Sequence, residues 1–391
     1  MTRPIPALIN PDMLTWTRTF MGFDLDYVAE KVGIEYDRLV QWEGGSSHPT
    51  VAQLRKLAKV YRFSIAVFYL SVVPNLKLPR PKDRRSLPGF EQPVISPELS
   101  FEFRWASERR EIAIELLVNT GITPKRFDAQ VSFRNEPEKV GESIREMLGV
   151  TYDEQTAWRD SRVAFNAWRD KVERLNVLVF QTPDVPLQAM RGYSMLFDSL
   201  PIIGVNRKDT YNARSFTLLH EMTHLLIRME SLCDMEEEHG GLSGPDKQIE
   251  VFCNNVAGCT LVPEQNLLTE DSIASATDPE EEGENGIKNL ARKYSVSREV
   301  IVRRMLTLGL VDEDFYKAKH EQYNREYAAI QRSSGGFVHP VVEVFGASGK
   351  GFVGLVLENL NRGLITTSDL SDFLRLKVKH LERLQDSFLL V

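Results

Sequence analysis

The chain has 391 residues, 42% of them hydrophobic and 26% charged, the composition of a soluble globular protein of two or three domains. A net charge of −7 supplies no global field for nucleic acid, so any DNA contact must come from local patches. Three scattered cysteines, no long uncharged apolar run and a first segment without signal-peptide features argue against a disulfide framework, a membrane span and export, and the expectation is a cytoplasmic protein with no membrane partner.

Residues 1–73 read as a set of short helices. Asp24 is placed to cap a helix through Leu25, Val28, Ala29 and Val32, with Gly33 as its left-handed stop. A second begins near Glu35 and carries Leu39, Val40 and Trp42 before Gly44-Gly45; Pro49-Thr50 opens a third with Val51, Leu54, Leu57 and Ala58. Phe63 to Leu70 adds another apolar piece. The runs Asp26-Tyr-Val-Ala-Glu-Lys-Val-Gly-Ile34, Trp42-Glu-Gly-Gly45 and Pro49-Thr-Val-Ala-Gln-Leu-Arg-Lys-Leu-Ala58 resemble the XRE-type helix-turn-helix repressors. The resemblance implies a recognition helix, Glu35 to Glu43, whose Tyr36, Arg38 and Gln41 reach base edges. Glu35, Asp37 and Glu43 on that helix repel phosphates, so use of the module for homodimerisation or partner binding stands beside DNA binding.

Residues 74–130 form a linker and a long helix. The linker is rich in proline and basic residues, among them Lys77, Arg80, Lys82, Arg84 and Arg85, and is expected to be semi-extended. Leu99 to Asn119 is expected to be helical, with mixed charges on a solvent-exposed face.

From about residue 131 the pattern becomes that of a second domain, 131–280. Helices are expected over Glu138 to Leu148 and Val163 to Leu175, then strands over Val177 to Phe180, Gly192 to Phe197 and Pro201 to Val205. Strand 201–205 or 192–197 is the candidate to accept an extended peptide by strand addition.

The run His220-Glu221-Met222-Thr223-His224 follows, inside a mostly apolar stretch from Phe216 to Met229. On a helix, residues four apart share a face, so His220 and His224 can hold one metal ion between them. Glu221 then lies beside the ion, where a general base for its bound water must sit. Two imidazoles and a carboxylate in a buried helix are costly unless something satisfies them, and a divalent cation satisfies all three. A catalytic zinc needs a third protein ligand and an open position. The helical run Gln248 to Val262, closed by Pro263, offers Glu250 beside its apolar stripe, with Asn254 four residues on to hold that carboxylate. His239, in an acidic, glycine-rich stretch, is the competing ligand, and Cys253 and Cys259 lack metal-ligand spacing.

Arg214-Ser-Phe-Thr-Leu-Leu-His-Glu-Met-Thr-His-Leu-Leu226, with Asn206 before it and Glu250-Val-Phe-Cys-Asn-Asn-Val-Ala-Gly-Cys-Thr-Leu-Val-Pro263 after it, resembles the ImmA/IrrE metallo-endopeptidases over about residues 140–312. The resemblance implies Zn2+ on His220, His224 and Glu250, with Glu221 as catalytic base, in agreement with the spacing. Cys253, Val256 and Gly258 stand where the family usually has Ala, Phe and Ala, a departure that touches packing more than chemistry. With the XRE-like module ahead of it, the chain resembles fusions that cleave a transcriptional repressor, or that act as antitoxin-like repressors binding an operator and a toxin. The implied partner is a protein substrate or toxin encoded nearby. Candidates for the oxyanion partner are Tyr193, Tyr211 and His239.

Residues 267–285 are acidic and expected to be a loop. Residues 281–312 read as a second helix-turn-helix-like pair with a basic patch, in which Arg298, Arg303 and Arg304 are candidates for DNA phosphates, or the pair packs on the peptidase core. Residues 313–391 form a C-terminal α/β region, with strand-like pieces over Phe337 to Phe345 and Phe352 to Leu357 and helices from Thr367 to Leu384. The fold class expected is α+β, mostly helical: a helix-turn-helix bundle, a zincin-like core with a small sheet, and a small C-terminal region.

Overall fold

The structure, a computed structural model, describes residues 5–76, 81, 96–158, 160–229, 231–233, 244–270, 273, 283–330 and 338–389. Two compact units form, residues 1–80 with 91–107 and residues 81–90 with 108–391.

The first unit is built from α1 (Pro11–Phe20), α2 (Leu25–Val32), α3 (Tyr36–Glu43), α4 (Val51–Tyr61) and a 3-10 turn (Ile65–Tyr69), the short helices expected from the sequence. Each helix has a local reason to start or stop. The Asn10 side chain accepts from the Asp12 N–H at 3.0 Å, and Thr50 and Gln53 cap α4 reciprocally. Gly33, at φ 73°, ends α2 in the left-handed region that favours glycine. Leu14, Val28, Leu39, Trp42, Leu54, Tyr61 and Phe68 fill the core. Arg18 grips Glu43 through Nε at 2.8 Å and Nη2 at 2.9 Å, tying α1 to α3. α5 (Pro97–Asn119) gives Phe101 to this core and Ala113 and Leu116 to a core of the second unit.

The second unit begins with α6 (Pro137–Leu148), α7 (Tyr152–Ala157) and α8 (Ser161–Glu173). Next come β1 (Leu178–Thr182), β2 (Gly192–Met195) and β3 (Ile202–Asn206), within two residues of the expected strands at nearly every end. α9 (Tyr211–Leu226), β4 (Ser231–Cys233), α10 (Pro245–Leu261) and α11 (Glu264–Leu268) follow, then α12 (Gly283–Tyr294), α13 (Arg298–Thr307), α14 (Glu313–Ile330), α15 (Pro340–Asn361), α16 (Thr367–Leu374) and α17 (Leu381–Leu389). The sheet order is β1-β3-β2-β4; β1 runs parallel to β3, and β2 runs antiparallel to both β3 and β4. Val179, Ile203 and Val205 on one face join a core with α6, α8, α9, α10, α12 and α13. On the other face Leu178 packs with Ala113 and Leu116 of α5 and with Phe352, Val353 and Val356 of α15. Helices on both faces explain why these strands read as apolar runs.

Three expectations are corrected. Strands 192–197 and 201–205 were the sites expected for strand addition, yet β3 lies between β1 and β2, and β2 lies between β3 and β4, so neither has an open edge. β4, three residues long, is the edge beside β2, and its shortness hid it from a pattern search. The pieces expected as strands over Phe337 to Phe345 and Phe352 to Leu357 are helical from Pro340 on: both fall in α15, which is broken at Gly349 (φ 81°, ψ 157°). A β-carbon on Gly349 would lie 2.2 Å from Glu173 Oε1, so glycine is required there by space as well as by dihedral. The break splits a long apolar helix into two short runs that look like strands. α15 is long and apolar enough to cross a membrane by length and composition, against the expectation of no such run, and here it packs as a core helix. Most of the linker expected over 74–97 and much of the loop expected over 267–285 lie outside the described residues.

Candidate metal centre

α9 carries the His220-Glu221-x-x-His224 run at its centre. Thr210 caps it, accepting from the Ala213 N–H at 3.3 Å. It packs against α8, α10, β2 and β3, so the whole run is buried. His220 is 3% exposed, Glu250 4%, and Glu221 and His224 fully buried, too little exposure for water to satisfy these groups.

The three expected ligands converge. His220 Nε2 and His224 Nε2 are 3.0 Å apart, and Glu250 Oε2 lies 3.2 Å and 3.3 Å from them. Donors placed roughly 2.0–2.2 Å from a tetrahedral zinc lie about 3.3–3.6 Å from one another, close to this triangle. Two imidazole nitrogens and one carboxylate oxygen leave one tetrahedral position open, the donor set of a catalytic site. Burial pushes the Glu250 carboxyl up, but the hydrogen bonds and charge of the two imidazoles outweigh it and hold the group well below the usual carboxylate range. Burial also lowers His224, only partly opposed by Glu250. Both shifts favour the deprotonated forms that a metal requires.

Glu221 lies against strand β2. A β-carbon built on Gly192 would be 3.0 Å from Glu221 Oε1 and 2.3 Å from Thr217 Cγ2. Only a residue without a side chain lets α9 approach the strand this closely. In sequence, the one signal for this role of Gly192 is a glycine that opens a strand ahead of the histidine helix.

A cleft of about 430 Å3 lies between α9, α10, α13 and α14, lined by sequence neighbours of the metal-binding residues rather than by those residues themselves. Phe216 and Thr217 line it one turn before His220 and Glu221, and Val251 and Asn254 line it on the Glu250 helix. Glu299, Tyr316 and His320 form the far wall, with Tyr316 Oη 3.3 Å and His320 Nδ1 2.9 Å from Glu299 Oε1. This wall has no signature in the sequence, because α14 carries no motif.

Other expected site residues fall differently. Asn254 makes no hydrogen bond to Glu250 among the described residues; it is half-buried and faces the cleft. Tyr193 is buried with its ring over Gly204, and Tyr211 lies under the Arg214 guanidinium, 4.3 Å from its ring centre; neither lines the cleft. His239 lies outside the described residues. The expected DNA contact at Arg304 is corrected: the side chain is buried, donating to Glu138 at 2.7 Å and to the Val262 carbonyl at 2.9 Å. Arg298 pairs with Glu284 and Glu326, and Arg303 with Glu299. The basic patch is thus largely matched by acids, and its helices are core elements through Ile287, Leu290, Tyr294, Ile301 and Met305. On α3, Tyr36, Arg38 and Gln41 are exposed, while Glu43 is taken up by Arg18.

Residues 172–306 match the family model of the IrrE N-terminal-like domain, a peptidase family. The match spans β1 to β4, α9, α10, α12 and nearly all of α13, and includes His220, Glu221, His224 and Glu250. Over these residues the chain therefore carries an IrrE N-terminal-like peptidase domain. No curated protein and no solved structure matches the chain.

Proposed function

We propose that the protein is a zinc-dependent, site-specific endopeptidase whose target is a regulatory protein. The observation that carries this reading is the buried His220, His224 and Glu250 triangle with Glu221 fixed beside it. A zinc ion bound there would supply a Lewis acid for the scissile carbonyl and acidify a water. The chain's own residues do the rest. Glu221, packed against the β2 backbone, is positioned to take a proton from the attacking water and deliver it to the leaving amine. The apolar surroundings of α9 keep bulk water away and strengthen every charge interaction at the site. The adjoining cleft receives side chains next to the scissile bond.

The first unit is read as an XRE-like DNA-binding module that brings the peptidase to a promoter. The exposed Tyr36, Arg38 and Gln41 and the neutralisation of Glu43 by Arg18 support this use of α3. Salt-sensitive binding to the protein's own promoter, with preference over random DNA, is the expected behaviour.

The test mixes zinc-loaded wild type and Glu221→Gln with the product of the neighbouring gene. Cleavage by wild type alone is expected. Equal cleavage by both would remove Glu221 from the mechanism, and tight binding without cleavage by either would leave the domain as a partner-binding module.

A further inference from the structure

We infer that the cleft selects a substrate carrying an acidic side chain next to the scissile bond, with Arg191 as the residue that reads it. This rests on the peptidase reading above and names its substrate class. Arg191 directly precedes Gly192, which packs so near Glu221 that a β-carbon built on it would lie 3.0 Å from Glu221 Oε1, so the strand holds Arg191 close to the proposed base. Its side chain lines the cleft together with Phe216 and Thr217.

The charge balance of the cleft decides the sign of its ligand. Among the described residues that line it Glu299 is the one acid, and that carboxylate already accepts from Arg303, Tyr316 and His320. Arg304 is consumed by Glu138, and Arg303 by Glu299. Arg191 and Lys247 remain. Lys247 is exposed on the α10 side with no acidic partner among the described residues. Arg191 Nε is buried and reaches only a distant contact, 4.0 Å from Asp209 Oδ2, and its terminal nitrogens donate no hydrogen bond within the described residues. Asp209, itself buried, balances the charge in part and sets the side chain's direction without filling its donor fork. A guanidinium with its fork open to a cleft matches a carboxylate in a way that an amide or an alkyl group does not. The apolar part of the lining, Phe216, Val251 and Val300, accepts the methylene stem of such a side chain.

The test uses two peptide hydroxamates that differ only in Glu or Gln at the residue beside the hydroxamate, titrated calorimetrically into the full-length, zinc-loaded protein. Because the hydroxamate is anchored by the metal, binding reports on the site without needing turnover. The Glu probe is expected to bind about tenfold tighter than the Gln probe, the size of one charge-assisted hydrogen-bonded contact. Arg191→Gln is expected to abolish that difference, and Arg191→Lys to restore part of it, with zinc content unchanged in both. Equal binding of the two probes to wild type, or a preference that survives in Arg191→Gln, overturns the inference while leaving the metal site standing. Binding of neither probe overturns the metal-site reading, and the inference with it.

Discussion

Replacing Gly192 by alanine separates the positioning of the base from the holding of the metal. The added β-carbon would sit 2.3 Å from Thr217 Cγ2, 3.0 Å from Glu221 Oε1 and 3.2 Å from Glu221 Cγ. Carbon atoms pack at about 3.5–4.0 Å, so β2 and α9 must part by roughly 1 Å or more at this point. Overpacking of this kind costs about 1–3 kcal/mol of stability. A shift of about 1 Å in a catalytic group costs on the order of a hundredfold in rate. None of the three atoms nearest the new methyl group belongs to His220, His224 or Glu250, so the perturbation falls first on Thr217 and Glu221. The expected outcome is a lower Tm, a turnover of the cleaved partner reduced about a hundredfold, and an unchanged zinc stoichiometry. Urea denaturation, single-turnover cleavage and metal analysis on one preparation give the three values. Unchanged stability and turnover would refute the close approach of α9 to β2, and loss of zinc before loss of turnover would refute the separation of roles.

Three further outcomes follow from the same structure. Arg304→Ala is expected to destabilise the second unit by about 2–4 kcal/mol in urea titration, because it strips Glu138 and the Val262 carbonyl of a buried donor; a neutral effect would return Arg304 to the surface. Arg18→Ala is expected to cost the first unit about 1–2 kcal/mol by breaking the two-point contact with Glu43 and, by freeing that acid on α3, to weaken promoter binding; intact DNA binding at reduced stability would uncouple α3 from DNA. The metal-free protein is expected to lose stability as pH falls below about 6.5, since burial holds His224 neutral in the fold while the unfolded chain takes up a proton there. Glu250, held low by the imidazoles, adds a loss in the same direction at more acidic pH. Saturating zinc, which binds only the neutral imidazole, should raise Tm across a pH series and extend the first of these slopes to lower pH, and a series that zinc does not move would argue against His224 as a ligand.

The metal triangle was legible because its geometry is local. Four-residue spacing fixes His220 and His224 on one helix, and the apolar stripe of α10 places Glu250 at the core edge. The sheet was legible as three strands because each is an apolar run between turn residues, but their order is a matter of long-range pairing. Hence β4 was missed and the open edge was assigned to the wrong strands. α15 was misread because Gly349 interrupts its periodicity, and α14 was missed for want of apolar patterning. The basic character of residues 288–304 is plain in sequence, whereas its neutralisation by Glu138, Glu284, Glu299 and Glu326 depends on tertiary proximity. Arg191 carried no signal of its own: its importance comes from the glycine after it and the helix that glycine admits.

The central claim, three ligands and a separate base, is tested most directly by the zinc stoichiometry of wild type, Glu221→Gln and Glu250→Ala after dialysis against limiting zinc. The account predicts one zinc per chain in wild type and in Glu221→Gln, and an affinity weaker by about tenfold or more in Glu250→Ala. A wild type that binds no zinc, or a Glu250→Ala protein that retains it while Glu221→Gln loses it, would contradict the assignment of ligand and base.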